Sequence, residues 1–188
     1  MINELLEYLK KRLNDYISSG NSSEQPVSFM LEEATDATKL PPGKIVPILI
    51  QIDEDKSFLP AERHLHLNQE GLKYLGNPSI ALNLMVVFVS NYANYLECTR
   101  RLSQVIQFFQ ANAYFSKETH PDFPASIPEA KIELHSLSLT AQNEIWSMFR
   151  IPYRPSVVYK IKIMIVEAPI PNEIPKAVKK VETRLAQK

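Results

Sequence analysis

The segment IALNLMVVFVSNY, residues 80–92, constrains the fold more than any other part of the chain. Apolar side chains occupy both of its faces, and Asn83 is the only polar residue before Ser90. Successive side chains of a strand point to opposite faces, so a strand of this kind is stable only where both faces are covered. We therefore predict a central strand in a sheet with further layers on both sides.

A second segment, LHSLSLTAQNEIWSMFRIPYRPSVVYKI at residues 134–161, predicts a strand, a short helix, a stiff turn and a long strand. The alternation of the first strand slips in phase, which favours a bulge at His135–Ser136. Thr140 is a suitable N-cap for the helix. Pro152 and Pro155 restrict the backbone of the turn, which should hold its side chains in a defined direction.

The remaining periodicities complete an α+β domain. Pro47 donates no ladder hydrogen bond, so its strand is expected at a sheet edge or beside a bulge. The other predicted elements are a helix that ends before Gly20, strands at residues 27–31 and 44–53, a loop at 54–78, a helix at 95–112 and a proline-rich connection at 114–128. We expect one domain over residues 1–168, with a mixed central sheet of five to six strands packed against about three helices. A proline-led C-terminal arm, residues 169–188, follows it.

The charges balance over the chain but not along it. The 21 basic and 21 acidic residues cancel, so no overall field favours nucleic acid or an anionic membrane. Residues 1–130 carry 11 basic and 16 acidic residues, a net charge of −5, whereas residues 131–188 carry 10 and 5, a net charge of +5.

The single cysteine, Cys98, excludes an internal disulfide and is expected to be a small buried side chain. Without a signal-peptide pattern or an apolar run of roughly 20 residues, we expect a soluble protein made in the cytoplasm.

Patterns for cofactor, metal or catalytic sites are incomplete. Gly71 and Gly76 have the spacing of a phosphate-binding loop, but Asn77-Pro78 stands where that loop needs Lys and Ser or Thr. His64 and His66 lack a third metal ligand at a suitable spacing. We therefore expect no cofactor, no metal and no enzymatic activity.

The candidate functional residues are ones that favour protein interfaces. Arg150, Tyr153 and Arg154 lie in the stiff turn, and arginine and tyrosine are enriched at binding hot spots. An ordinary solvated turn explains the same residues equally well. Trp146 is expected in the core rather than at an interface. The basic residues of the tail complete the set: Lys176, Lys179, Lys180 and Arg184.

The order of these segments resembles the cap, or tail-terminator, proteins of bacterial contractile injection systems. The segments that carry the resemblance are MINELLEYLKKRLNDYI, IALNLMVVFVSNY, RLSQVIQFFQANAYF, the block from Leu134 to Val166 and VKKVETRL. They follow the family's order over nearly the whole chain, and residues 20–78 match least.

The resemblance implies a non-enzymatic assembly factor with a tail-terminator-like fold. Family members form a hexameric ring on the last layer of inner tube and sheath, where they end polymerisation and lock the sheath. The implied partners are other copies of the chain, the tube protein and the sheath protein, with no nucleic acid and no membrane insertion. The implied location is the bacterial cytoplasm during assembly and afterwards the particle, whether released or kept inside the cell.

The same fold also serves phage tail-completion and head–tail joining proteins, which is the alternative function. A small-molecule enzyme on an α+β scaffold is the other alternative, and it requires a polar cluster in a pocket. For the capping function, the Pro47 edge strand and the tail after Pro175 are the candidate places for strand addition to a neighbour.

Overall fold

The computed structural model describes residues 1–18, 24–30, 40–56, 65–67, 73–75 and 80–165. Its helices are α1 (Ile2–Ile17), α2 (Tyr95–Ala111) and α3 (Leu139–Phe149). Its strands are β1 (Lys44–Glu54), β2 (Leu65–Leu67), β3 (Lys73–Leu75), β4 (Ile80–Asn91), β5 (Tyr114–Ser116), β6 (Glu129–His135) and β7 (Ser156–Ile165). Within these residues, no helix is long and apolar enough to cross a bilayer.

Five strands form one sheet in the order β1-β4-β7-β6-β5. This confirms the predicted α+β fold and the interior position of β4. Every strand pair in the sheet is antiparallel, so the expected mixed character is confined to one parallel bridge between Val27 and Ile45. The five-stranded sheet and the three helices named above form one compact unit.

The segment predicted as a loop at residues 54–78 contains two short strands. β2 and β3 pair with each other as a separate antiparallel sheet and belong to a second compact unit. Each has only three residues, which is too short for an alternating pattern to stand out in the sequence.

The two faces of the main sheet carry cores of different size. On the first face, α1 and α2 cover the larger core, in which Phe109 lies 5.3 Å from Phe88 and 4.7 Å from Tyr159 between ring centroids. On the second face, α3 covers a smaller cluster made of Met85, Val87, Val89, Trp146 and Val158. Burial of each large apolar side chain contributes about 1.5–3 kcal/mol, so the first face supplies most of the hydrophobic stabilisation.

Pro47 lies on an edge strand that also contains a bulge, so both of the alternatives predicted from this proline are confirmed. β1 ends the strand order, and its register with β4 shifts between Leu49 and Gln51. Ile45 donates its N–H to the Pro26 carbonyl at 2.7 Å, so its backbone points away from β4. Backbone direction alternates along a strand, so Pro47, two residues later, also points outward and interrupts no bond to β4.

Two local predictions in the segment after residue 130 were wrong. The register of β6 with β7 is continuous to His135, where β6 ends, so the change of phase marks a strand end rather than a bulge. The N-cap of α3 is Ser138, whose hydroxyl accepts a hydrogen bond from the Ala141 N–H at 3.2 Å. Thr140 instead lies inside the first turn of the helix.

Candidate interaction surface

The turn from Arg150 to Pro155 is fixed at both of its ends. Arg150 ends α3 in the left-handed conformation, with φ 55° and ψ 29°, and its N–H donates to the Ser147 carbonyl at 3.3 Å. It is the only non-glycine residue with positive φ in the described part of the chain. At the other end, the Pro155 carbonyl accepts a hydrogen bond from the Ser90 N–H at 2.9 Å. The turn is therefore anchored to both α3 and β4.

The side chains of this turn face solvent over a buried tryptophan. Trp146 is 6% exposed, which confirms its predicted core position. Tyr153 is 60% exposed, and its ring lies 5.3 Å from the Trp146 ring between centroids at an angle of 64°. Arg150 and Arg154 are also exposed, and neither forms an ion pair with another residue that the structure describes. Exposed, preorganised arginine and tyrosine side chains are suited to binding a partner.

The other residues predicted for the interface lie in the C-terminal tail. The four basic tail residues Lys176, Lys179, Lys180 and Arg184 fall outside the described residues. Their role therefore stays a prediction, as does the domain boundary at residue 169.

Two exposed apolar residues at the same end of the sheet were missed by the sequence reasoning. Tyr95 and Leu96, 68% and 75% exposed, begin α2 just after the end of β4. The Asn94 side chain caps this helix by accepting the Leu96 N–H at 2.8 Å. A signal was present in the sequence, because Leu96 shares its helix face with polar Thr99 and Ser103 rather than with the buried stripe.

The opposite end of the sheet has a different chemistry. Ile52 and Ile80 are 49% and 43% exposed there, and Asp53 and Glu54 are exposed beside Ile52. Asp53 accepts a hydrogen bond from the Gln51 amide at 3.1 Å. Neither carboxylate forms an ion pair with another described residue. This end therefore presents negative charge and apolar surface together.

A small cavity lies between the end of β6, α3 and β7. Its volume is about 180 Å³, and its polar lining comes from His135, Ser136, Gln142 and Ser156.

No group of three or more His, Cys, Asp or Glu residues in the described part of the chain could hold a metal ion. The His64 and His66 side chains are outside that part. Cys98 is buried, as predicted, and its thiol donates to the Ser90 and Tyr92 carbonyls at 3.5 and 3.4 Å.

A charge cluster stabilises the sheet face next to α3. Glu133 pairs with Lys131 at 2.7 Å and lies 3.6 Å from Lys162 on the adjacent strand. The hydrogen bond from Lys131, together with the positive charges of Lys162 and Lys131, holds the pKa of Glu133 below its usual value. All three side chains are more than a third exposed, so solvent screening limits their contribution to below about 1 kcal/mol.

Two solved structures with this fold are terminator proteins. The sheath/tube terminator of the PVC extracellular contractile injection system, in its extended state, has a TM-score of 0.62 and 15% sequence identity. The match covers 100% of this chain and 64% of that chain. The tube-terminating cap of the anti-feeding prophage has a TM-score of 0.61 and 16% identity, with 96% of this chain and 60% of that chain covered.

This chain thus spans less than two thirds of the length of either terminator. No curated protein matches it. The shared fold confirms the tail-terminator-like architecture predicted from the sequence. The Pvc16 N-terminal domain profile matches residues 4–180, and the chain therefore belongs to the Pvc16 N-terminal domain family.

Proposed function

We propose that this protein is a structural cap that ends the tube and sheath of a contractile injection system. The observation that carries the proposal is the family match over residues 4–180, together with a fold shared with two terminators over nearly the whole chain. Both solved structures are described as terminators of injection particles, which favours this role over a phage head–tail joining role. The proposed role is to bind other proteins of the particle, without catalysis.

The proposed assembly is a closed ring, expected to contain six copies, on the last layer of tube and sheath. The particle forms in the bacterial cytoplasm and carries the cap with it thereafter. The contacts proposed for the ring and for docking include Arg150, Tyr153 and Arg154, with the tail residues Lys176, Lys179, Lys180 and Arg184. No nucleic acid and no membrane lipid takes part in this assembly.

The outer edge of β1 supports docking by strand addition. The segment at residues 26–28 pairs with this edge at Ile45, where Ser28 donates to the Ile45 carbonyl at 3.1 Å. From Pro47 to Glu54, no strand among the described residues pairs with the outer edge. An open edge of this length can accept a strand from a neighbouring protein. The proposed neighbour is a sheath subunit whose own edge would otherwise stay unpaired.

Assembly of tube and sheath proteins with and without this chain tests the proposal. With the chain present, we expect tubes of limited length that end in a six-fold ring when viewed by electron microscopy. Arg154→Glu should weaken ring formation or docking without unfolding the domain, and Lys11→Glu, a charge reversal on the exposed side of α1, is the matched control. A chain that stays monomeric at high concentration and binds neither tube nor sheath contradicts the proposal.

A further inference from the structure

The strand register places two exposed surfaces at opposite ends of the main sheet. Lys44 pairs with Asn91 at one end of the β1–β4 ladder, and Glu54 pairs with Leu82 at the other. The ten residue-to-residue steps from Lys44 to Glu54 span about 33 Å at the usual rise of a strand. A partner that contacts one end therefore does not reach the other end.

The first surface is the arginine–tyrosine end, which we define as Tyr95, Leu96, Arg150, Tyr153 and Arg154. These residues come from two separate segments that the hydrogen bond between Ser90 and Pro155 ties to one end of the sheet. The apolar part is large, because Tyr95, Leu96 and Tyr153 are each more than half exposed. The two guanidinium groups add positive charge that no described acidic residue neutralises.

The second surface is the acidic end, which we define as Ile52, Asp53, Glu54 and Ile80. It has the complementary composition, with two exposed isoleucines and two carboxylates that form no ion pair with the described residues. Arginine binds carboxylates through two parallel hydrogen bonds, and apolar neighbours strengthen such pairs by excluding water.

We propose that the arginine–tyrosine end of one copy of this chain docks on the acidic end of the next copy. Because the two surfaces differ and lie at opposite ends of the main sheet, the contact is heterologous, and repeated contacts of this kind close into a ring when the rotation per subunit allows it. The inference rests on the ring in the proposed function and specifies which surfaces form it. A second copy of the chain is the proposed partner because the chain itself carries both complementary surfaces.

Charge-reversal variants at each end test whether the two ends meet. The first variant carries Arg150→Glu with Arg154→Glu, and the second carries Asp53→Lys with Glu54→Lys. In either variant alone, every junction places like charges together, and we expect the dissociation constant of self-association to rise about tenfold or more. In an equimolar mixture, alternating copies form only opposite-charge junctions, and assembly is expected to return.

Sedimentation velocity and negative-stain electron microscopy measure assembly, both in solution and on tubes. Lys11→Glu is the control for a single charge reversal, and thermal melting establishes that each variant is folded. A chain with all four substitutions should also assemble, because its reversed ends remain complementary. Restored assembly in the mixture, with alternating variants seen by native mass spectrometry, supports the proposal.

Three results overturn it. Unchanged assembly of both single-end variants, or a mixture that fails to recover, shows that the two ends do not meet. Intact rings with lost tube or sheath binding in the first variant show that the arginine–tyrosine end serves those proteins instead, and the capping function then stands without this contact. Conversely, rings that form through these ends but leave tube length uncontrolled support the contact and contradict the capping function.

Discussion

Arg150 shows how one residue serves the local backbone and a predicted contact at the same time. Its left-handed conformation ends α3 and directs the chain into the turn that carries Tyr153 and Arg154. For a residue with a Cβ atom, the left-handed backbone conformation destabilises the folded state by roughly 1–2 kcal/mol, and glycine avoids most of this cost. An arginine at this position is therefore not explained by the stability of the helix end.

Arg150→Gly separates the two roles. We expect the free energy of unfolding to rise by up to about 1 kcal/mol, because relief of the backbone strain outweighs the greater freedom of glycine in the unfolded chain. The melting temperature should rise by about 2–4 °C, measured by circular dichroism. Self-association should weaken at the same time, and Arg150→Ala, which keeps the strain, should weaken it without stabilising the fold. Wild-type assembly of both variants contradicts the interface role.

At the scale of elements, β7 joins the two cores of the sheet. Tyr159 and Ile161 point into the larger core, whereas Val158 belongs to the smaller cluster under α3. The side chains of this strand therefore alternate between the two cores. Burial raises the pKa of Tyr159 to about 12, because the phenolate would lose its hydration in the core.

The raised pKa predicts how stability depends on alkaline pH. The unfolded tyrosine ionises near pH 10, so the contribution of Tyr159 is complete below that pH and is lost as the pH rises through about 12. Urea unfolding at several pH values between 9 and 12 measures it. Tyr159→Phe should reduce the alkaline loss of stability by about 2 kcal/mol, and Tyr153→Phe, a change at an exposed ring, is the control. Equal losses in the wild type and Tyr159→Phe would disprove the burial effect.

At the scale of the whole molecule, the separation of charge along the sequence corresponds to a separation in space at the two ends of the main sheet. Asp53 and Glu54 belong to the acidic part of the chain and Arg150 and Arg154 to the basic part, and the sheet places these pairs at opposite ends. The second part also contains an internal charge cluster, in which Glu133 pairs with Lys131 on its own strand and lies 3.6 Å from Lys162 on the adjacent strand. All three residues lie in the second part of the chain, so this cluster does not reduce the charge difference between the two parts.

Truncation after Pro175 tests the proposed C-terminal arm. Prolines at 169, 171 and 175 favour an extended chain, and residues 176–188 have too little apolar surface to form a core of their own. If Val178 and Val181 anchor the arm on a neighbour, the melting temperature of the monomer should change by less than about 2 °C. Tubes should lose their length control, as measured by electron microscopy. Unfolding of the truncated chain would place the tail in its own subunit's fold and contradict the arm.

The sequence by itself determined the three helices, the longer strands and the layered architecture, but not the three-residue strands β2, β3 and β5. Continuous apolar character predicted β4 as an interior strand, helical spacing predicted α1 and α2, and Pro47 predicted a sheet edge or a bulge. Each prediction follows from the pattern of residues close in the chain. The same reasoning failed at His135, because the end of a strand and a bulge change the alternation in the same way.

The tertiary structure alone decided which exposed residues share a surface. Tyr95 and Arg154 are 59 positions apart in the sequence, and they reach one end of the sheet only because β4 pairs antiparallel with β7 in a particular register. The acidic end likewise depends on the pairing of β1 with β4. Side-chain periodicity specifies which face of a strand is buried, whereas long-range pairing decides which strand ends meet, and for that reason the two surfaces emerged only from the folded chain.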